Sequence, residues 1–334
     1  MEEWVKQVIK EQMEIPITIQ SDEKGYLDRE CPNKECLYQF KIKLLDWKEK
    51  ISDEEVHCPM CGYIAKSDQW WTQNQLEEIE KIAANYAINA IQKELDKGFK
   101  KLERDTKNNK FVKIKYKPGK RVSFINNPIG QMPDWETEIL CPKCGTGYSV
   151  IGTAYFCPCC GYNNVKTALI ESLTSIEKMV DSIDDMERLF RAKYGENYAK
   201  DASRKLLEDS LSNIVSAFQK YAELLYSQIS TEKARVNDFQ IIDKRSKLFM
   251  DACGKDYSSW LNASELDRVN LLFQKRHILE HNAGIVDDMY LQKSGDNSYV
   301  TGQRMIIKKS EIYELINLIK KLCKGLSQEC EVED

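Results

Sequence analysis

Four short cysteine knuckles restrict this chain more than any other part of its sequence. Cys31-Pro-Asn-Lys-Glu-Cys36 and Cys58-Pro-Met-Cys61-Gly62 have internal spacings of four and two residues and stand 21 residues apart. Cys141-Pro-Lys-Cys144-Gly145 and Cys157-Pro-Cys-Cys160-Gly161 have spacings of two and two and stand 12 residues apart. Two thiolates on one tight turn occupy two corners of a tetrahedron, and a second knuckle supplies the other two, so the pattern is that of two zinc ribbons. The expected ligands are Cys31, Cys36, Cys58 and Cys61 in one site and Cys141, Cys144, Cys157 and Cys160 in the other. Neither segment is long enough for a self-sufficient apolar core, so bound metal would supply folding free energy. Cys159 is left over, and His57 beside Cys58 reads as a solvated histidine ahead of a substitute ligand. Closed four-cysteine sites leave no coordination position for water or substrate, so the zinc is expected to be structural.

Disulfides are the competing use of these thiols. The opening Met-Glu-Glu-Trp-Val-Lys lacks a basic segment followed by an apolar run, and no stretch approaches the roughly 18 apolar residues of a membrane span. A cytoplasmic location with no membrane attachment is therefore expected, and reducing conditions favour metal over disulfide. A redox dithiol fits less well, since four paired knuckles are not one isolated Cys-x-x-Cys.

Across 334 residues, 49 Lys and Arg stand against 53 Asp and Glu, a net charge of −4 that excludes a whole-molecule polycation. Nucleic acid must then be held locally. Residues 97–121 offer the place, with eleven Lys or Arg against Glu103 and Asp105, a local charge of +9. Within it Phe111-Val-Lys-Ile-Lys-Tyr-Lys117 alternates, so a strand would set Val112, Ile114 and Tyr116 on one face and Lys113, Lys115 and Lys117 on the other. Pro118-Gly119 reads as a turn and residues 121–125 as a return strand. With Lys120 and Arg121, these lysines are the candidate RNA contacts, gripping phosphate without reading sequence. An edge strand shielded by lysines accounts equally well for the same pattern.

Helical periodicity organises the remainder. Residues 2–12 read as a helix and residues 15–20 as a strand leading into the first ribbon. The aromatics Tyr26, Tyr38, Phe40, Trp47, Tyr63, Trp70 and Trp71 are read as packing around a small metal core ahead of a base-stacking platform. Thr72 with Gln75 makes a capping box for a helix to about Leu102, with Ile88, Ile91 and Leu95 on one stripe. Residues 127–133 read as a linker. Beyond residue 164, Leu169, Leu173, Ile176, Val180, Ile183 and Phe190 mark one helix, and Leu207, Leu211, Ile214, Phe218, Tyr221 and Leu225 a second. A short helix over 246–252, one capped by Ser264 with Asp267 and ended by Gly284, a loop with a small β element over 290–308, and a final helix from Ser310 complete a bundle. The expected fold is therefore mainly α: an N-terminal helix and first ribbon over 1–72, a long helix and basic β-ribbon over 73–130, a second ribbon over 131–164, and a helical bundle over 165–330.

One bundle helix breaks its own pattern. The stripe Leu266, Val269, Phe273 continues into Arg276, His277 and Glu280, with His281 next, while Leu271, Leu272, Ile278 and Leu279 form a second apolar face. Polar groups on a helix buried from two sides are costly unless they pair or work. Arg276 and Glu280 as an i,i+4 pair at a solvated helix end is the structural alternative.

The segment Arg276-His-Ile-Leu-Glu-His281-Asn-Ala-Gly284-Ile-Val-Asp-Asp-Met-Tyr290 resembles the active-site motif of the HEPN superfamily (higher eukaryotes and prokaryotes nucleotide-binding domains). There an Arg, commonly followed by a polar residue, precedes a His by four to six intervening residues; here four residues separate Arg276 from His281. The layout of ribbons and bundle is similar to proteins found near prokaryotic defence genes. The resemblance implies a HEPN-like bundle that pairs into a homodimer with Arg and His of both subunits facing one cleft, and a metal-independent endoribonuclease acting as a toxin or antiviral effector. A further protein partner and a non-catalytic nucleotide-binding or dimerisation role are also within its scope. The residue types suit RNA, whose 2′-hydroxyl is its own nucleophile: His281 as acid or base, His277 as its partner or as an orienting residue, and Arg276 as a phosphate clamp. An acidic residue on an earlier helix accompanies the motif in such proteins, and Glu208 or Asp209 stands in that place, though a solvated carboxylate reads more naturally there.

Overall fold

The computed structural model describes residues 21–108, 111–117, 136–232, 234, 239 and 241–329. The helix expected over 2–12, the strands over 15–20 and 121–125 and the linker over 127–133 lie outside the described residues. The chain divides into two compact units, one made of residues 1–153 with 157–161 and the other of residues 154–156 with 162–334. Together they are mainly helical, with a small sheet in the N-terminal half.

The first unit runs through β1 (Tyr26–Glu30), β2 (Gln39–Lys43), α1 (Leu44–Glu49), β3 (Val56–His57), β4 (Ile64–Ala65), α2 (Gln73–Thr106), β5 (Thr137–Leu140) and β6 (Gly147–Val150). Four strands pair antiparallel in the order β1-β2-β6-β5, with β3 and β4 as a separate hairpin. The pairing of β2 with β6, Phe40 opposite Val150 and Ile42 opposite Tyr148, joins the two cysteine segments in one sheet. Strand alternation sends Leu27, Phe40, Ile42, Tyr148 and Val150 to one face, where they are buried. On the other face, Lys41 is held between Asp22 at 3.0 Å and Glu136 at 2.6 Å. Trp70 packs edge-on against Phe40 with ring centres 5.8 Å apart. Trp47 and Trp71 flank the guanidinium of Arg29 at 4.1 and 5.4 Å, so most of the ribbon aromatics do pack, while Tyr63 stays exposed.

Thr72 caps α2 as its sequence predicts: its hydroxyl accepts from Gln75 N–H at 3.2 Å, and the Gln75 side chain accepts from Thr72 N–H at 3.0 Å. The helix then runs through 34 residues of which only Gln75 is buried.

The helical unit comprises α3 (Val165–Asp181), α4 (Ile183–Tyr194), α5 (Glu196–Ile229), α6 (Ile242–Cys253), α7 (Ala263–His281), α8 (Asp288–Ser294) and α9 (Lys309–Glu329). Its core gathers Leu169, Leu173, Ile176 and Val180 of α3, Leu211, Ile214 and Phe218 of α5, Val269 and Phe273 of α7, and Ile312, Leu315, Ile319 and Leu322 of α9. Arg245 of α6 is fully buried among them, its guanidinium 4.9 Å from the Phe218 ring centre and 5.4 Å from that of Phe273. The single helix expected over Leu169 to Phe190 is two, parted at Ser182, and the loop expected from residue 290 begins with the helix α8. A β element does follow, as a bridge between Ile285 and Arg304.

Candidate functional site

Each cysteine knuckle is shaped by a residue in the left-handed region. Gly62, Gly145 and Gly161 have φ of 70°, 67° and 64°, and each donates its N–H to the carbonyl of the first cysteine of its knuckle. The knuckle with no glycine places Leu37 there instead, at φ 49°. These turns bring Cys31, Cys36, Cys58 and Cys61 into one cluster and Cys141, Cys144, Cys157 and Cys160 into another, all four sulfurs of each lying within 4.8 Å of one another. Closest separations are 3.8 Å for Cys31 with Cys61, for Cys36 with Cys58 and for Cys141 with Cys160, and 3.6 Å for Cys144 with Cys157. At these separations the sulfurs are not bonded to one another. The edge of a tetrahedron with metal–sulfur bonds of about 2.3 Å is about 3.8 Å, so the donor set fits a soft tetrahedral cation.

The spare thiol and the histidine fall outside both clusters. Cys159 donates to Lys50 O at 3.3 Å, which leaves Cys160 as the ligand its spacing implies. His57 is neither a ligand nor simply solvated: its N–H bonds to Pro158 O at 3.0 Å, and a Cβ on Gly161 would stand 2.6 Å from its ring. The first cluster's histidine thus closes over the second cluster's knuckle.

The basic segment departs from expectation. Residues 111–117 form no strand, because no described residue supplies a ladder for them. Tyr116 instead stacks on Phe99 of α2 with ring centres 5.2 Å apart and bonds to Asp96, while Ile114 N–H donates to Thr106 Oγ1 at 3.3 Å. Lys113, Lys115 and Lys117 are all exposed, with no two-faced ribbon to order them. Lys120 and Arg121 lie outside the described residues.

The Arg and His cluster sits at the C-terminal end of α7. Asn262 caps this helix, with Glu265 completing the box at 2.9 Å in both directions, so the helix begins before the Ser264 and Asp267 expected in those roles. It ends where Ala283 and Gly284 turn left-handed at φ 49° and 71° and Gly284 N–H reaches back to Ile278 O at 2.9 Å. Residues four apart share a face, and the His277 and His281 rings lie 4.6 Å apart, both exposed. Arg276 lies around the helix and is more enclosed, at 18% exposure; its Nε is 3.9 Å from Glu280 and has no hydrogen-bond partner. Partial burial, followed by the neighbouring charges of His281, Lys293 and Arg276, pushes His277 below its ordinary value. The site is therefore two imidazoles on one face, a guanidinium beside them and Lys293 from α8 within electrostatic reach.

Glu208 on α5 is not a solvated carboxylate. Arg204 grips both its oxygens at 2.8 and 2.9 Å, and Arg304 bonds to it at 2.7 Å. Arg304 also donates to Met305 O at 3.0 Å and crowds Gly284, where any Cβ would stand 1.8 Å from its guanidinium. Glu208 and Arg304 thereby hold the chain just beyond His281. Asp209 is exposed, as expected.

Comparison with protein-family models, curated proteins and solved structures gives no match. The reading of both sites therefore stands on geometry and residue chemistry. Sequence reasoning missed Arg304 and Lys293. Asp287, part of the segment that follows the motif, caps α8 and accepts from Tyr290 N–H at 2.7 Å.

Proposed function

We propose that the chain is a HEPN-type endoribonuclease whose chemistry is carried by His277, His281 and Arg276, with zinc in both cysteine clusters as structural metal. The observation that carries the reading is the pair of exposed imidazoles 4.6 Å apart beside an arginine whose Nε has no hydrogen-bond partner. RNA supplies the 2′-hydroxyl as nucleophile. One imidazole takes its proton as the oxygen bonds to phosphorus, and the other gives a proton to the departing 5′-oxygen, leaving a cyclic phosphate. His277, held toward its neutral form, suits the acceptor and His281 the donor. Arg276 presents a planar fork to the phosphate oxygens, where negative charge grows in the transition state. Pairing of two copies about a two-fold axis would bring the second Arg276 to the same cleft. Zinc is supported by the all-thiolate donor set and by sulfur separations that match its tetrahedron.

The test is cleavage of single-stranded RNA by zinc-retaining protein in excess EDTA, with metal content measured beside activity. Arg276→Ala, His277→Ala and His281→Ala should each lower the rate by about 10²–10⁴. Activity unchanged in all three overturns the assignment. RNA binding with no cleavage by wild type assigns the bundle to the non-catalytic role.

A further inference from the structure

The exposed face of α7 extends beyond its two imidazoles. At about 100° per residue, Asn270, His277 and His281 fall within an arc of about 40°, and Asn270 stands about 10.5 Å back along the axis from His277. There a cleft of about 700 Å³ opens between α7, α8 and α9, within the size range of small-molecule sites. Leu271 and Leu318 give it an apolar wall. Lys293 joins it to the imidazoles, since the lysine lines the cleft and its charge is felt by His277.

The charges of the lining say what the cleft accepts. Glu265, Asp267 and Glu314 stand against Arg268 and Lys293, a net charge of −1, so a phosphate is disfavoured there. Glu265 is taken by Lys321 at 2.7 Å, and Glu314 by Arg268 at 2.8 Å. Among the described residues the side chains of Asp267 and Lys293, both exposed, make no ion pair. Asn270 donates to Lys293 O at 3.2 Å, which fixes this edge of α8 against α7. A free acceptor, a free donor and an apolar wall suit a flat, uncharged ring with hydrogen-bonding groups along its edge. In a single-stranded RNA that ring is the base. Guanine matches the two free groups most fully: its N1–H and 2-amino group face a carboxylate while its O6 accepts from a lysine. Adenine lacks the carbonyl, and uracil lacks the amino group.

We propose that the cleft between α7, α8 and α9 is a base-binding subsite that selects guanine, with Asp267 accepting from N1–H and the 2-amino group and Lys293 donating to O6. It rests on the endoribonuclease reading for RNA as the source of the base. At about 3.4 Å per stacked nucleotide, the selected guanosine lies roughly three nucleotides from the bond that is cut.

The experiment is equilibrium binding of guanosine, inosine, adenosine and uridine to the full, metal-loaded chain and to Asp267→Asn, measured by titration calorimetry. Asp267 is exposed and makes no hydrogen bond among the described residues, so the isosteric amide leaves the fold intact, which circular dichroism checks. Guanosine should bind, and inosine, which lacks the 2-amino group, should bind about tenfold more weakly. Asp267→Asn should weaken guanosine about tenfold and erase its advantage over inosine. Failure of wild type to bind guanosine, equal binding of guanosine and inosine, or an undiminished preference in Asp267→Asn overturns the proposal. Binding and cleavage of oligonucleotides with a single guanosine at successive positions are read alongside. Guanosine selected and the oligonucleotides bound but not cut supports the subsite and overturns the nuclease. Cutting indifferent to the guanosine's position overturns the subsite and leaves the nuclease standing. Guanosine held by a chain that neither binds nor cuts the oligonucleotides overturns RNA as the source of the base.

Discussion

His277 is the residue at which the proposed chemistry is most directly measurable. Its neighbours hold it below the ordinary histidine value of 6.5, with burial the largest cause and the His281, Lys293 and Arg276 charges adding to it. Between its folded value and 6.5 the unfolded chain binds more protons than the folded one, so stability rises with pH across that window and this contribution is lost as pH falls through it. A proton-detected titration should place its midpoint below 6.5, and His281→Ala or Arg276→Ala should move that midpoint upward. A wild-type midpoint at or above 6.5 would contradict this environment. The residue scale is also where sequence reading divides most sharply. All eight clustered cysteines were legible, because a knuckle is a local turn with a fixed spacing. The hold of Arg304 on Glu208 and Gly284 was not, because it spans most of the bundle in sequence and no periodicity connects its members.

At the scale of elements, α9 offers a test in which two effects oppose each other. Gly325 lies inside that helix, and alanine at an ordinary helix site gains about 1 kcal/mol over glycine. Here a Cβ would stand 2.3 Å from the Trp260 ring, and overpacking a filled core costs about 1–3 kcal/mol. Gly325→Ala should therefore destabilise the helical unit by roughly 1 kcal/mol, read as a lower urea midpoint; a higher midpoint would show that Trp260 yields without cost. The helices were legible where an apolar stripe ran for several turns, as in α3, α5 and α9. The break at Ser182 was not, because the stripe passes through it while Ser182 Oγ bonds back to Lys178 O at 2.8 Å. The seven-residue α8 is too short to show a period. Residues 111–117 had a strand's alternation without a partner strand among the described residues, and a single extended segment has no ladder to stabilise it.

The whole molecule is two compact units, and both cysteine clusters found among the described residues lie in the first. Removing metal with a strong chelator should release two ions per chain and abolish the lower step of a two-step thermal melt, leaving the helical unit's step in place. Cys61→Ser should lower the metal content to one ion, and the remaining cluster should give up its ion more readily than in wild type, because β2 pairs with β6 and His57 lies on the Gly161 turn. Equal affinity of that ion in variant and wild type would mean that the shared sheet does not couple the clusters. Two ribbons were legible in the sequence, but their fusion into one sheet was not, since strand pairing between segments about a hundred residues apart leaves no trace in local spacing.

The five residues 157–161 belong to the sheet unit, while residues 154–156 before them and 162 onward belong to the helical unit. Neither unit is therefore one continuous stretch of chain that a single cut would free. A breakpoint after residue 153 strands Cys157 and Cys160 with the wrong partner and leaves the second tetrad with two thiols. A breakpoint after residue 161 takes from the bundle Tyr155, which accepts from Asn164 N–H at 2.7 Å, and Phe156, which bridges to Asn163. Separating the two halves at either place should therefore cost one of them residues that its fold uses.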